Sequence, residues 1–265
     1  METILDFYAQ TNTPFLHANG RIGTAFLLNR MKPQAGQSIL EIGFGTGQTL
    51  IELSCRFEDL RLFGLERSPK MLAAAQKRFR FAGIDSKSFV QMPTDLHCPF
   101  EDGSFGVVYC ESVLGILDTE ALEKIWQEVF RLLRPGGSFY FNESLFRTEI
   151  SSESIHTINQ QCMEWFGIPQ ASEAYPYPAD WQALARKNGF VMLECQSLHG
   201  ITSSLPVRLD PRLFRSRLFS AWGKLRSWFS APLRRRKKQI GQQIALLADA
   251  SPYLEGVFFH CRKGE

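Results

Sequence analysis

Between residues 38 and 261, short apolar runs alternate with segments whose apolar positions recur every three or four residues. The runs at 38–42, 60–65, 88–92, 105–110, 137–142, 190–195 and 257–261 predict seven strands. The stretches at 48–56, 69–82, 119–133 and 179–188 predict helices. Strand–helix alternation of this kind builds βαβ units and a mainly parallel sheet covered on both faces. Pro69 suits the first turn of a helix, and Leu133-Arg134-Pro135-Gly136-Gly137 reads as a helix stop and a turn into the next strand. Residues 1–31 read as helical, with a break at His17-Ala18-Asn19-Gly20. The predicted fold is a doubly wound α/β sheet of seven mostly parallel strands. It forms a single domain over 1–265 with two helical inserts, 144–178 and 199–255.

Composition narrows the class. With 44% hydrophobic and 22% charged residues, the chain is neither disordered, collagenous nor a coiled coil. No uncharged apolar run approaches the ~20 residues that span a bilayer, and residues 1–13 lack the basic and apolar regions of a secretory signal. The cysteines at 55, 98, 110, 162, 195 and 261 form no CxxC pair and sit mostly in predicted strands and helices. Reduced thiols in a cytoplasmic protein are expected, with no disulfide framework and no metal site.

Charge is distributed unevenly. Residues 201–240 carry eleven Lys/Arg against Asp210, a local +10 that leaves −7 for the rest of a +3 chain. Within 212–238 the apolar positions Phe214, Leu218, Trp222, Leu225 and Phe229 recur at helical spacing among arginines, and Pro232 breaks this helix before Arg234–Lys238, which opens a second. Trp and Phe opposite a basic face is the composition of an interfacial membrane helix. Peripheral membrane contact through 208–238 is therefore one expectation. The other readings are packing of the apolar face on the protein's own core, docking of a partner, and nucleic-acid binding, the last being less favoured.

The most informative segment is Ser38-Ile39-Leu40-Glu41-Ile42-Gly43-Phe44-Gly45-Thr46-Gly47, a strand running into a glycine turn and a helix start. Glycines let the chain turn sharply and bring its backbone close to a ligand, and the amides of the helix start face whatever polar group is bound. The spacing departs from the dinucleotide pattern GxGxxG, because Gln48 stands where its third glycine would be. Nineteen residues past Gly47, Glu66 ends the second predicted strand, where a carboxylate can accept both hydroxyls of a ribose.

Taken together these segments resemble the class I S-adenosylmethionine-dependent methyltransferases. Glu41-Ile42-Gly43-Phe44-Gly45-Thr46-Gly47 is similar to that family's glycine motif, and Gly64-Leu65-Glu66-Arg67-Ser68-Pro69-Lys70-Met71-Leu72 to its acidic loop GxDxSxxML. Residues 93–105, with Pro99-Phe100 and Ser104-Phe105, resemble its LPFxDxSFD stretch, and 133–139 its LRPGGxL. Asp180-Trp181 and Gly189-Phe190 match its lead into the sixth strand. The PFxDxSF style is that of enzymes methylating quinones, sterols, tocopherols and other small molecules. In departure from the family pattern, Thr94 stands where an Asp is common, Gly106 replaces an Asp, and no base-amine motif follows the fourth strand.

The resemblance implies a final antiparallel strand, S-adenosylmethionine as cofactor, and methyl transfer to a small, hydrophobic or lipid-like acceptor. It assigns Glu41, Gly43, Gly45 and Gly47 to the methionine and ribose end, Glu66 to the ribose hydroxyls, and Arg67 and Met71 to the flanks of the adenine. Thr94, Asp95 and Leu96 meet the adenine edge, while Glu111 and Ser112 border the methyl group. Glu111, Glu143 and His17 are the candidate catalytic bases, with His156 considered beside them and His97 read as a surface residue. Tyr8 and the 17–20 segment are candidates to close over the cofactor, and Trp165, Phe166, Tyr175 and Tyr177 to wall the acceptor. The alternatives are an RNA methyltransferase using the basic segment, or a non-catalytic S-adenosylmethionine-binding protein with no enclosed cavity near Glu111; a nicotinamide oxidoreductase is the outsider. The methylated atom (O, N, C or S) and the oligomeric state stay open.

Overall fold

In a computed structural model of the chain, described for residues 2–17, 19–148, 150–247 and 253–264, seven strands form one sheet in the order β3-β2-β1-β4-β5-β7-β6. The strands are β1 (Ser38–Ile42), β2 (Arg61–Glu66), β3 (Phe89–Gln91), β4 (Phe105–Glu111), β5 (Leu133–Phe146), β6 (Phe190–Ser197) and β7 (Leu254–Lys263). Strands β1 to β5 pair in parallel, and β7 runs antiparallel between β5 and β6. The order reverses between β1 and β4, so a crevice opens beyond their carboxyl ends, where ligands bind in open α/β sheets.

Both faces of the sheet are covered, as the apolar runs predicted. Leu40, Val108, Phe139, Phe141 and Phe259 meet α5 (Thr119–Leu132) and α7 (Pro178–Lys187). Their neighbours Ile39, Val107, Tyr109, Tyr140 and Phe258 face α2 (Gly20–Met31) and Leu53 of α3 (Gln48–Arg56). Local signals fix the helix ends. In α4 (Pro69–Ala82), Ser68 accepts from the Met71 amide at 3.3 Å, Pro69 opens the first turn, and Gly83 closes the helix at φ 78°. Asp118 caps α5 by accepting from Ala121 at 2.8 Å.

The helical N-terminus contains α1 (Ile4–Gln10) and α2, joined by an irregular stretch. Ala18 of the predicted break lies outside the described residues, as do 248–252 of the second insert. The first insert is shorter than predicted, because β5 extends through Phe146 against β7; what remains holds α6 (Ser152–Phe166). The second holds α8 (Pro211–Phe229) and α9 (Ala231–Leu247). Among the described residues no helix is long and apolar enough to cross a membrane.

The reading of α8 as a helix that seats its apolar stripe on the protein is corrected. The buried residues of α8 are Leu213, Ser216, Ser220, Gly223 and Ser227, and the Phe/Trp/Leu stripe faces outward. The reason lies beneath it. Arg78 of α4 is fully buried there, and its guanidinium donates to the hydroxyls of Ser216 (3.3 Å) and Ser220 (2.8 Å) and to Gln48 Oε1 (2.9 Å). A buried guanidinium needs acceptors, and serines supply them where leucines could not.

Candidate active site

A cavity of about 600 Å³ occupies the crevice beyond β1, β2 and β4 and is roofed by Phe15, Leu16 and His17 of the N-terminal segment. Its floor is the glycine turn. A Cβ at Gly43 would collide with Val113, and one at Gly47 with the Phe79 ring. At Gly45 a Cβ would meet nothing nearer than Leu16 Cδ1 at 3.7 Å. Packing thus enforces two of these glycines, and Gly45 joins Gly43 on the cavity wall while Gly47 stays behind it.

Glu66 ties the turn to the end of β2. Its Oε2 accepts from the Gly45 amide and its Oε1 from the Ser68 amide, each at 2.7 Å. Burial raises its pKa, opposed by the N–H groups of Ser68, Gly45 and Arg67, which favour the carboxylate. Glu41 is also buried on the wall, and Tyr109 Oη donates to its Oε2 at 2.7 Å. Its pKa is pushed well up, first by burial and then by the nearby charges of Glu111 and Glu66.

Glu111, at the end of β4, is held on several sides. Thr49 donates to its Oε1 at 2.8 Å, and Thr24 and Asn142 donate to its Oε2 at 2.9 and 3.1 Å. His17 Nε2 lies 3.4 Å from the same Oε2 and 2.8 Å from Thr24 Oγ1. A hydroxyl has one proton, so with Thr24 donating to Glu111 the His17 ring donates to Thr24 through Nε2. Sequence reasoning did not reach Thr24, Thr49 and Asn142: each comes from a different element, and only Thr49, two residues past the glycine turn, stood near a motif.

Three residues of the wall, Phe15 (φ 51°), Leu96 (φ 65°) and Ser112 (φ 53°), sit in the left-handed backbone region that side chains disfavour. Such conformations persist only where the surrounding structure imposes them, and they concentrate at binding sites.

Of the residues assigned from sequence, Glu41, Gly43, Gly45, Glu66, Arg67, Met71, Leu96, Glu111, Ser112 and His17 line the cavity. Thr94 and Asp95 do not: both are exposed, and Asp95 Oδ1 accepts from the His97 amide at 3.1 Å, with Leu96 the part of that turn that points inward. Glu143 is buried off the wall. Its Oε1 accepts from the amides of Val113 (3.0 Å) and Leu114 (2.9 Å) and its Oε2 from Gly115 (3.1 Å), so it anchors the loop after β4.

The remaining candidates are also accounted for. His156 is exposed and hydrogen-bonded to Glu173 and Gln160. His97 is exposed beside Glu128. Tyr8 packs in the apolar clusters around α1 and α4. Trp165, Phe166, Tyr175 and Tyr177 pack against other aliphatic and aromatic residues, and the first insert reaches the cavity through Gly167 and Ile168 instead.

The wall is electrostatically one-sided. Glu41, Glu66, Glu111 and Asp6 face the cavity, and among the described residues its basic groups are Arg67 at the rim and His17. Buried carboxylates disfavour a diphosphate and suit a ligand carrying fixed positive charge. Residues 39–137 match the protein family described as a methyltransferase domain.

Residues 39–137 form a methyltransferase domain, and the activity is that of an S-adenosylmethionine-dependent methyltransferase.

Its donor, S-adenosylmethionine, carries a sulfonium and an ammonium, and the acidic wall of this methyltransferase fits it. The chain is 29% identical over 182 residues to an uncharacterized methyltransferase, YodH, of Bacillus subtilis, an alignment covering 69% of this chain and 72% of that one. It is 28% identical to the demethylmenaquinone methyltransferase of Lactococcus lactis, over 65% of this chain and 73% of the relative. In fold it is similar to phosphoethanolamine N-methyltransferase 2 of Haemonchus contortus solved with S-adenosyl-L-methionine, at TM-score 0.69 and 21% identity, over 99% of this methyltransferase and 57% of that chain.

Proposed function

We propose that this methyltransferase acts on a small, hydrophobic or lipid-like acceptor. The observation that carries this reading is the composition of the wall around Glu111. Phe15, Leu16, Val113, Ile116, Leu117 and Ile168 make it apolar, so an acceptor gains by leaving water and only its reacting atom needs a polar neighbour. The relatives support it, since they include the demethylmenaquinone methyltransferase already described and a sterol 24-C-methyltransferase of Schizosaccharomyces pombe. A non-catalytic binding protein needs no enclosed space at Glu111, whereas the cavity is open there.

The bound donor supplies an already activated methyl group. The chain's part is positioning, which is worth roughly 7–11 kcal/mol when the reacting atoms are held in line. Glu41, Gly43, Gly45, Glu66, Arg67, Met71, Leu96 and Ser112 hold the donor. Gly47 shapes the turn from behind, and Thr94 and Asp95 give up the adenine edge to Leu96. Glu111 and His17 form the proton-accepting pair for an acceptor that arrives protonated: the imidazolium formed faces Glu111 Oε2 at 3.4 Å from Nε2. Glu143 positions the 113–115 loop and takes no proton from the acceptor.

The test is incubation with tritium-methyl-labelled S-adenosylmethionine and cell extract, followed by partition. Label is expected in the organic phase. Label confined to the RNA or aqueous fraction would overturn the acceptor reading.

A further inference from the structure

The α8 helix presents two opposite stripes. At about 100° per residue, Leu213, Ser216, Ser220, Gly223 and Ser227 share the stripe that packs on the protein. Phe214, Leu218, Trp222, Leu225 and Phe229 share the stripe directly opposed to it. These are 62%, 38%, 72%, 52% and 80% exposed. A contiguous apolar stripe of this size is uncommon on a protein surface that meets only water. Arg215 and Arg226 flank it on one side, and Arg217 and Lys224 on the other, all four exposed. Arg234, Arg235, Lys237 and Lys238 of α9 add exposed positive charge nearby. The local acid, Asp210, is spent on Arg212 at 2.7 Å.

We propose that α8 docks this stripe on an anionic lipid surface, with Trp222, Phe229 and their neighbours entering the headgroup boundary and the flanking guanidinium groups meeting lipid phosphates. Aromatic and aliphatic side chains opposite the packed face, bordered by cations, match that boundary in both polarity and charge. A second copy of the chain would bring one +10 segment against another. RNA would engage the arginines and leave Leu218 and Leu225 in water.

The inner face of α8 gives the docking a place in the molecule. Gly223 packs directly on the Thr11 carbonyl, where a Cβ would collide, and Arg78 Nη2 donates to Asn12 O at 2.7 Å. The docked helix therefore adjoins the segment that continues into the cavity roof at Phe15–His17. The proposal does not depend on the nature of the acceptor.

The test is co-sedimentation of the full chain with vesicles of phosphatidylcholine alone or mixed with phosphatidylglycerol, with tryptophan emission followed in parallel. Binding to the mixed vesicles with a blue shift is expected, weakening as salt rises. The Trp222→Ser/Phe229→Ser pair is expected to weaken binding by about tenfold or more. Arg215→Gln/Arg226→Gln is expected to weaken it roughly fivefold per charge removed. These side chains are exposed, so donor affinity by calorimetry should be unchanged and certifies that each variant is folded. Absence of binding, equal binding to neutral vesicles, or binding untouched by both pairs overturns the proposal. So does a shift of RNA, or a concentration-dependent dimer lost in Trp222→Ser, in place of vesicle binding. The assay contains neither acceptor nor methyl donor, so its failure would leave the acceptor reading standing.

Discussion

Arg78 of α4 and Ser220 of α8 lie 142 positions apart in the chain and are joined by a 2.8 Å hydrogen bond in the protein interior. The same guanidinium reaches Gln48 at the start of α3, Asn12 O at the base of the cavity roof, and Ser216. Among the described residues its hydrogen-bond partners are hydroxyls, carbonyls and an amide oxygen, and none is a carboxylate. Its charge is thus held by dipoles and by the Phe219 ring, 5.5 Å from its Cζ, and burial lowers its pKa to about 10. One side chain joins α3, α4, the base of the cavity roof and α8.

Replacing Arg78 by Met keeps most of the volume but leaves Gln48, Ser216 and Ser220 buried with fewer partners. Removing a hydrogen-bonded charge from such a site is expected to cost about 2–4 kcal/mol of stability. Urea unfolding read by far-UV circular dichroism measures it. A loss below about 0.5 kcal/mol would mean that the network is not holding α8 in place.

The same region shows where sequence reading ends. The strands and the helices at 48–56, 69–82 and 119–133 were legible because their signals are local: apolar runs, helical periodicity, Pro69 and the stop at 133–137. The orientation of α8 was not, because it depends on Arg78, a charged residue within an α4 pattern that gives no hint of burial. Glu66 and the glycine turn were legible because their spacing belongs to one βαβ unit. Glu143 was not, because its role is set by the amides of 113–115, which only β4–β5 pairing brings to it. Likewise Thr94 and Asp95 share a motif with Leu96, but a turn with Leu96 at φ 65° sends one of the three inward.

Glu143 makes a pH-dependent prediction. Burial raises its pKa from 4.5 to about 7, against the three amides that favour the charged form. An acid with a raised native pKa binds more protons folded than unfolded between those two values, so its contribution to stability falls as pH rises through that window and is flat above it. The native protein should lose about 3 kcal/mol relative to Glu143→Gln between pH 4.5 and 7. Paired denaturant titrations across that range measure it. A difference that grows with pH would show that the amides outweigh burial.

Glu66 holds the Gly45 and Ser68 amides at once, and Gln in its place can satisfy only one while its amide group confronts the other. The turn that forms the donor site should loosen. Glu66→Gln is expected to weaken S-adenosylmethionine binding by about 10–100-fold, the cost of one unsatisfied buried donor. Isothermal titration calorimetry reads the affinity. Because the defect is local, the far-UV spectrum should be unchanged.

His17 separates positioning from proton transfer. It lines the cavity beside Glu111, while the glycine turn is held by Glu66, Phe79 and Val113. His17→Gln keeps a group able to hydrogen-bond Thr24 and Glu111 but cannot take a proton. For an acceptor that must lose one, kcat should fall by about 10²-fold or more. Donor affinity should change by less than about threefold, since Glu111 keeps Thr24, Thr49 and Asn142 as partners. If donor affinity and kcat fall together, His17 is a roof residue that positions the donor, and the base lies elsewhere.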